Sequence, residues 1–153
     1  MRKAMVVLVV LGLVGTIWAA DPTLGTWKLN IAKSKLTPSE AQIKELTWAK
    51  REIGDQFEII FTGIGTDGET FTYKIMAPIK GGVCQSDVVA KDGMMVTTVI
   101  SSGEWYVTSL LNGKQVGEGH YVLSKDGKTI NRTSKAIDAQ GNLNETLMVF
   151  DKQ

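Results

Sequence analysis

The sequence predicts an all-β protein, a single antiparallel up-and-down β-barrel of about 8–10 strands with a short helical segment near residues 38–43. Three observations lead to this prediction. Asp-Gly, Asn-Gly and Gly-Gly pairs recur along the chain, and such pairs supply the positive φ angles that tight hairpins require. The segments between them alternate apolar and polar residues, as half-buried strands do. Successive turn signals lie roughly 10–14 residues apart, which is the spacing of hairpin-linked strands.

The chain begins with the three-part pattern of a secretory signal peptide, which we assign to residues 1–20. Two basic residues precede an almost unbroken apolar run at 4–14, shorter than the roughly 20 residues that a membrane span needs. Cleavage after Ala19 or Ala20 would leave a single barrel domain, assigned to residues 21–153; an uncleaved N-terminal anchor is the alternative. We therefore expect a secreted or periplasmic protein.

Charge and composition exclude several kinds of partner and site. Removal of residues 1–20 takes two of the 17 basic residues and leaves 15 against 16 acidic ones in a domain of 133 residues, a balance that argues against nucleic-acid binding. A single cysteine, Cys84, and a single histidine, His120, argue against a disulfide scaffold and a zinc site. The sequence shows no recognisable set of acid, base and nucleophile. We therefore expect a binding protein with no catalytic residues, metal or cofactor.

Ten segments with strand composition follow the first twenty residues. The runs on either side of Asp67-Gly68 predict a hairpin with one apolar face, because their aromatic and aliphatic residues alternate with polar ones. In order, the predicted strands are residues 24–31, 44–53, 57–62, 70–75, 83–90, 94–101, 104–111, 115–124, 128–137 and 143–151.

One segment admits two interpretations. Thr37 and Glu40 have the spacing of a capping box, with Pro38 at the first helical position. We predict a helical turn at 38–43 followed by a strand. The alternative is a single helix over 38–51, since the apolar residues there keep roughly helical spacing.

Ten antiparallel strands must hide their edges, which a sandwich or a closed barrel would do. Hairpins between neighbouring strands favour the up-and-down barrel, because a Greek-key sandwich needs long crossovers. A barrel of about eight strands has an interior just wide enough for side chains or one small ligand. With nine or ten strands, a cavity is expected on size alone.

Residues 25–29, Gly-Thr-Trp-Lys-Leu, resemble the Gly-x-Trp start of the calycin superfamily, the lipocalins and fatty-acid-binding proteins. Residues 149–152, Val-Phe-Asp-Lys, are similar to the closing strand of the fatty-acid-binding branch. With Ala-Lys-Ser-Lys at 32–35, the start also resembles a group of secreted bacterial lipocalin-like proteins of uncharacterised function. The resemblance implies a barrel that binds a ligand in its lumen. It also implies structural roles for Gly25 and Trp27, the tryptophan plugging one end.

The chain departs from that family at the last strand. Fatty-acid-binding proteins hold a carboxylate with an Arg-x-Tyr pair there, and the matching positions are Met148 and Phe150, which cannot bind a carboxylate. The segment between residues 31 and 44 also leaves little room for the helical lid of that branch. These differences argue against fatty-acid binding in the family's own manner.

Five residues are the candidate ligand contacts. Phe61, Tyr73, Trp105 and Tyr121 would supply the apolar and aromatic lining typical of barrel pockets. Arg132 is the candidate anchor for an acidic group, because a guanidinium can grip a carboxylate in a bidentate manner; the alternative is a solvated surface arginine. The strand that carries it has polar residues on both faces, which predicts either a polar-lined lumen or an edge or end region that faces water.

Three functions compete at this point. The first is an exported, monomeric barrel that binds a small hydrophobic or amphipathic molecule. The second is an extracytoplasmic protein-interaction or inhibitor barrel with a filled core. The third, an integral outer-membrane barrel, would need an apolar outward band on nearly every strand, and charges on both faces of residues 44–52 argue against it.

Overall fold

The computed structural model describes residues 20–37, 40–89, 91–137 and 141–153. Its ten strands form one closed antiparallel barrel, in which neighbours in sequence pair and the first strand pairs with the last. The predicted all-β up-and-down barrel is confirmed, and the sandwich alternative is wrong, since one continuous ladder leaves no sheet edge. The strands are β1 (Gly25–Leu29), β2 (Ile43–Ile53), β3 (Gln56–Gly65), β4 (Thr70–Pro78), β5 (Gly82–Ser86), β6 (Gly93–Ser101), β7 (Glu104–Leu111), β8 (Lys114–Leu123), β9 (Thr129–Ile137) and β10 (Leu143–Lys152).

Residues 1–19, which hold nearly all of the predicted signal peptide, lie outside the described part of the chain. None of the helical segments in the described ranges has the length and hydrophobicity of a membrane-spanning helix.

The strand predicted at 83–90 is shorter than expected, because β5 ends at Ser86. Side chains end it: the Lys74 backbone N–H donates to Asp87 Oδ1 at 2.9 Å, and the Val88 N–H donates to Ser86 Oγ at 3.3 Å. The two backbone N–H groups therefore bond to side chains and are not available to extend the ladder between β4 and β5. The last predicted residue of the run, Ala90, is not among the described residues.

The helical segment is a short 3-10 turn, Glu40–Gln42, beside the capping box that the sequence predicts. The Thr37 N–H donates to Glu40 Oε2 at 3.2 Å, and the Glu40 N–H donates to Thr37 Oγ1 at 3.4 Å. Pro38 and Ser39 lie outside the described residues. The alternative helix over 38–51 is wrong, because Ile43–Ile53 forms β2 and pairs with both β1 and β3.

Turn chemistry sets the register of the hairpins. Between β7 and β8, Asn112 and Gly113 both have positive φ, 51° and 74°. Two successive positive φ angles belong to a type I′ turn, whose twist matches the strands that it joins. The Asn-Gly signal in the sequence is thus used as predicted.

The core lies at the end of the barrel where β1 starts and β10 ends. Trp27 is fully buried there and its ring stacks on Trp48 at a centroid distance of 5.7 Å. Its indole Nε1 donates to the carbonyl of Thr23 at 2.9 Å. Residues 21–24, which we call the N-terminal plug, are also tied to β10, because Lys152 Nζ donates to the Pro22 carbonyl at 2.9 Å.

Candidate functional site

The barrel lumen holds a cavity of about 530 Å³ that is lined by residues from both ends of the barrel. The volume lies within the range of roughly 300–1,000 Å³ found for small-molecule sites. Asp21, Lys50 and Phe57 line the cavity at the plug end, and Glu40, Val116 and Lys135 line it at the other. Aromatic and aliphatic side chains make up most of the wall between them.

Two aromatic walls face each other across the cavity. On β3 and β4, Phe61 stacks on Tyr73 with ring centroids 4.6 Å apart and planes 13° apart. On β7 and β8, Trp105 stacks on Tyr121 at 4.9 Å and 11°. The two pairs come from opposite sides of the strand order, with β5 and β6 between them on one side. Each pair joins neighbouring strands, so its two rings stack on each other along the sheet and form an aromatic stretch of the lumen wall.

Tyr73 connects the two walls electrostatically. Burial is the largest cause that raises the pKa of the Tyr73 hydroxyl to about 12; Tyr121 acts in the same direction and the Arg132 guanidinium in the opposite one. Both of these groups come from strands on the opposite side of the lumen. Tyr73 thus remains a neutral hydroxyl that can donate or accept a hydrogen bond throughout the physiological pH range.

Arg132 lies on the lumen face of β9 and is one of the cations that line the cavity. Its Nη1 is 3.3 Å from Met148 Sδ and 3.9 Å from Glu40 Oε1, and its guanidinium lies 5.8 Å from the Tyr121 ring centroid. Gly119 leaves the necessary space, because a Cβ there would stand 3.2 Å from Tyr121 Cε2 and 3.3 Å from Arg132 Nε. Because β9 pairs with β8 and β10, it is not a sheet edge. Arg132 and Ser134 of this strand are polar members of a mostly apolar cavity wall.

Lys50 is a second cation on the lumen face, at the plug end. Its side chain is 7% exposed, and its Nζ donates to Thr23 Oγ1 at 2.5 Å and lies 3.7 Å from Asp21 Oδ2. The ammonium also sits 3.7 Å from the Phe57 ring centroid. Burial lowers the pKa of Lys50, and the Asp21 carboxylate acts in the opposite direction. This cation is already paired by the protein and is less free to hold a ligand than Arg132.

Cys84 and His120 lie outside this arrangement. Cys84 is buried and its Sγ is 3.0 Å from Thr97 Oγ1, while burial raises the pKa of the thiol. His120 Nε2 is 2.9 Å from Glu104 Oε1, and its ring stacks on Tyr106. Within the described ranges, no group of three or more histidine, cysteine, aspartate or glutamate side chains is placed to hold a metal ion.

All five of the predicted ligand contacts, Phe61, Tyr73, Trp105, Tyr121 and Arg132, line the cavity. Their binding role stays a prediction, as does the structural role of Gly25, whose φ of +110° suits glycine.

Three cavity residues escaped the sequence reasoning. Trp48 and Lys50 lie on the same face of β2 as Leu46. This alternation was obscured because the apolar residues of the segment also fit helical spacing. Glu40 reaches Arg132 from the 3-10 turn, a contact over 92 residues of sequence that no local pattern encodes.

Structure comparison finds solved barrels that share this fold. The zebrafish ileal bile acid-binding protein, solved in complex with cholic acid, aligns with a TM-score of 0.53 and 13% identity over 86% of this chain and 99% of that one. Lobster apocrustacyanin A1 aligns with a TM-score of 0.48 and 14% identity over 88% of this chain and 63% of that one. The resemblance to calycins is confirmed as a likeness of fold.

No protein-family model matches the sequence. The comparison with curated proteins gives no match either.

Proposed function

We propose that this protein is an exported, monomeric barrel that binds a small hydrophobic or amphipathic molecule in its lumen, without a nucleic-acid partner. The observation that carries the proposal is the cavity of about 530 Å³, whose mostly apolar wall holds one weakly paired cation, Arg132. A mostly apolar pocket with a few convergent polar groups is the usual form of a small-molecule site. The structural likeness to a bile acid-binding protein agrees with a ligand-holding barrel.

The polar end of the ligand belongs at Arg132. In the family that the chain resembles, the last strand carries the carboxylate-binding arginine, and here that strand has Met148. The register pairs Met148 directly with Arg132 of β9. The guanidinium that β10 lacks at Met148 is therefore supplied by Arg132 of the neighbouring strand β9. We therefore propose an acidic head group at Arg132, with the Tyr73 hydroxyl available across the lumen.

The competing function, a protein-interaction or inhibitor barrel, predicted a filled core. A cavity of about 530 Å³ in the lumen favours the ligand-binding barrel.

Titration with 1-anilinonaphthalene-8-sulfonate, a flat amphipath with an anionic group, tests lumen binding. We expect dye fluorescence to rise on binding and Arg132→Met to weaken the affinity roughly tenfold, because it removes a charge-assisted hydrogen bond. Arg132→Lys should retain part of the affinity. Arg51→Met is the matched control, because Arg51 is exposed and pairs with Glu58. Equal affinity in all four proteins would exclude Arg132 as the anchor, and no binding to any of them would contradict lumen binding.

Export is tested separately. Expressed in full in a bacterium, the chain should be recovered from the periplasm or medium with Ala20 or Asp21 as its first residue, by intact mass. Recovery from the cytoplasm with residues 1–19 still attached would reject the export proposal.

A further inference from the structure

We propose that Glu40 selects the head group of the ligand. The lumen would then take an amphipathic zwitterion, with an anionic group at Arg132 and an ammonium group beside it at Glu40. This inference rests on the proposed function, since it requires an acid at Arg132. It adds the second charge of the head group and the residue that recognises that charge.

A carboxylate stands beside the cation of the head-group site. Glu40 Oε1 lies 3.9 Å from Arg132 Nη1, within reach of an ion pair but beyond hydrogen-bond distance. Both residues line the cavity. The side chains of Arg132 and Glu40 are 27% and 23% exposed, so neither charge is sealed inside the wall. The two groups attract each other and still leave hydrogen-bonding positions for a ligand.

Contacts on one side hold the Glu40 carboxylate in place. Its Oε2 accepts from the Thr37 N–H at 3.2 Å and from Thr37 Oγ1 at 3.0 Å. Within the described ranges, the one hydrogen bond to Oε1 is long, from Thr146 Oγ1 at 3.4 Å. An ionised carboxylate offers about four lone-pair sites. Oε1, the oxygen nearer to Arg132, therefore has capacity for a further donor.

The other charged residues at this end of the cavity have partners of their own. Lys135 Nζ lies 3.1 Å from Glu145 Oε1, and Glu118 Oε2 accepts from Gln115 at 3.4 Å. In the described part of the chain, Glu40 is the one acidic residue that forms an ion pair with Arg132. The charge next to a ligand's acid group at Arg132 is thus that of Glu40.

A simple carboxylic acid fits this pair of charges poorly. Its carboxylate at Arg132 would stand close to that of Glu40, and like charges repel more strongly in a partly buried site than in water. An ammonium on the carbon next to the ligand's carboxylate would remove this repulsion and donate a charge-assisted hydrogen bond to Glu40. Arg132 and Glu40 together therefore complement a head group of the α-amino-acid type.

The remainder of the cavity suits an aliphatic body. Most of its wall is apolar, and Ile59, Ile75 and Val107 are among the residues that line it. An alkyl chain gains free energy there in proportion to the apolar area that it buries. The expected ligand class is a long-chain molecule that ends in a zwitterion.

Two probes of matched shape test this inference, 2-methyldecanoate and 2-aminodecanoate, which differ only in the methyl or ammonium group beside the carboxylate. We expect the wild-type protein to bind 2-aminodecanoate roughly fivefold more tightly near neutral pH, by isothermal titration calorimetry, because its ammonium donates to Glu40. Arg132→Met should weaken the binding of both probes, since both place a carboxylate there.

Glu40→Gln should reverse the preference, because it removes the partner of the ammonium and the charge that repels the simple acid. Glutamine also suits this position of a capping box, so the turn after Thr37 is retained. Glu145→Gln is the matched control, since it removes an exposed carboxylate at the same end of the barrel and should keep the wild-type ratio.

The wild-type ratio keeps the test independent of any variant. Equal affinities for the two probes, tighter binding of 2-methyldecanoate, or a preference that Glu40→Gln leaves unchanged would overturn the role of Glu40 while lumen binding stands. Failure of both probes to bind would overturn the proposed function as well.

Discussion

Lys50 occupies a position on the lumen face of β2 where strand alternation favours an apolar side chain. The fold tolerates the ammonium because Asp21 and Thr23 of the N-terminal plug contact it and the Phe57 ring lies beneath it. A buried cation without such partners would be strongly unfavourable. The contacts with Asp21 and Thr23 therefore hold the N-terminal plug against β2.

Asp21→Asn tests this role. The substitution leaves Lys50 buried without its carboxylate, and we expect the free energy of unfolding to fall by about 2–3 kcal/mol in urea denaturation. Glu45→Gln is the matched control, since it breaks the Lys28–Glu45 pair, whose side chains are each 48% exposed. That change should cost less than about 0.5 kcal/mol. Equal losses in the two variants would show that the plug pair does not stabilise the fold.

Tyr73 makes stability depend on alkaline pH. Its folded pKa of about 12 lies above the ordinary value of 10.0, so the folded state retains a proton that the unfolded state releases. Its contribution to stability is complete below pH 10 and is lost as the pH rises through 12, by about 3 kcal/mol. We expect Tyr73→Phe to lose less stability between pH 10 and 12 than the wild-type protein in urea unfolding. Tyr106→Phe, on the outer face, should behave like the wild type, and identical profiles in all three would refute this assignment.

Among the strands, β8 leaves space in the lumen because two residues on its inner face are glycines. Gly117 and Gly119 lie on its lumen face, but only the second is crowded by the site: a Cβ at 119 would stand 3.2–3.3 Å from Tyr121 and Arg132, whereas a Cβ at 117 would meet nothing closer than 3.7 Å. Tyr121 cannot yield freely, because it is stacked on Trp105. Glycine at 119 therefore serves the placement of Arg132.

Paired alanine substitutions test this difference within one strand. We expect Gly119→Ala to lower the free energy of unfolding by about 1 kcal/mol, since it overpacks the wall. Gly117→Ala should change the free energy of unfolding by less than about 0.5 kcal/mol, because the new methyl group would make contacts at ordinary van der Waals distance. Urea denaturation of both variants measures the contrast, and a Gly119→Ala protein as stable as its Gly117→Ala counterpart would contradict the crowding argument.

At the scale of the whole molecule, the barrel exists because the two ends of the domain pair. Trp27 of β1 lies opposite Lys152 of β10, and Leu29 lies opposite Phe150. Phe150 and its β9 neighbour Ile130 are almost fully buried. The last strand thus contributes both closure and core.

Removal of residues 149–153 should therefore abolish cooperative thermal unfolding, followed by near-ultraviolet circular dichroism. Two core side chains, Val149 and Phe150, and the partner of β1 disappear together. A chain shortened by Gln153 alone loses one backbone hydrogen bond to β1, from the Gln153 N–H to the Thr26 carbonyl, but keeps the β1–β10 residue pairs and should retain a sharp transition. Cooperative melting of the longer deletion would mean that the open sheet is stable by itself.

Much of the architecture could be predicted because its causes are local. Asn112-Gly113 sets a turn, Thr37 and Glu40 set a cap, and period-two runs set strands, each through neighbouring residues. The end of β5 was missed, because it depends on a hydrogen bond from Lys74 of the adjacent strand to Asp87. Between residues 38 and 51, local spacing fitted two structures, and pairing with β1 and β3 selected the strand.

Local patterns in the amino-acid sequence are enough to predict the fold class, the turn positions and which aromatic residues share a strand face. Which of those faces meet depends on closure of the barrel, which brings β2–β4 opposite β7–β8. The tertiary structure also placed Arg132 beside Met148 and Glu40 and joined Lys50 to Asp21. These contacts join residues far apart in the chain, and their energies depend on burial and distance, which no periodicity records.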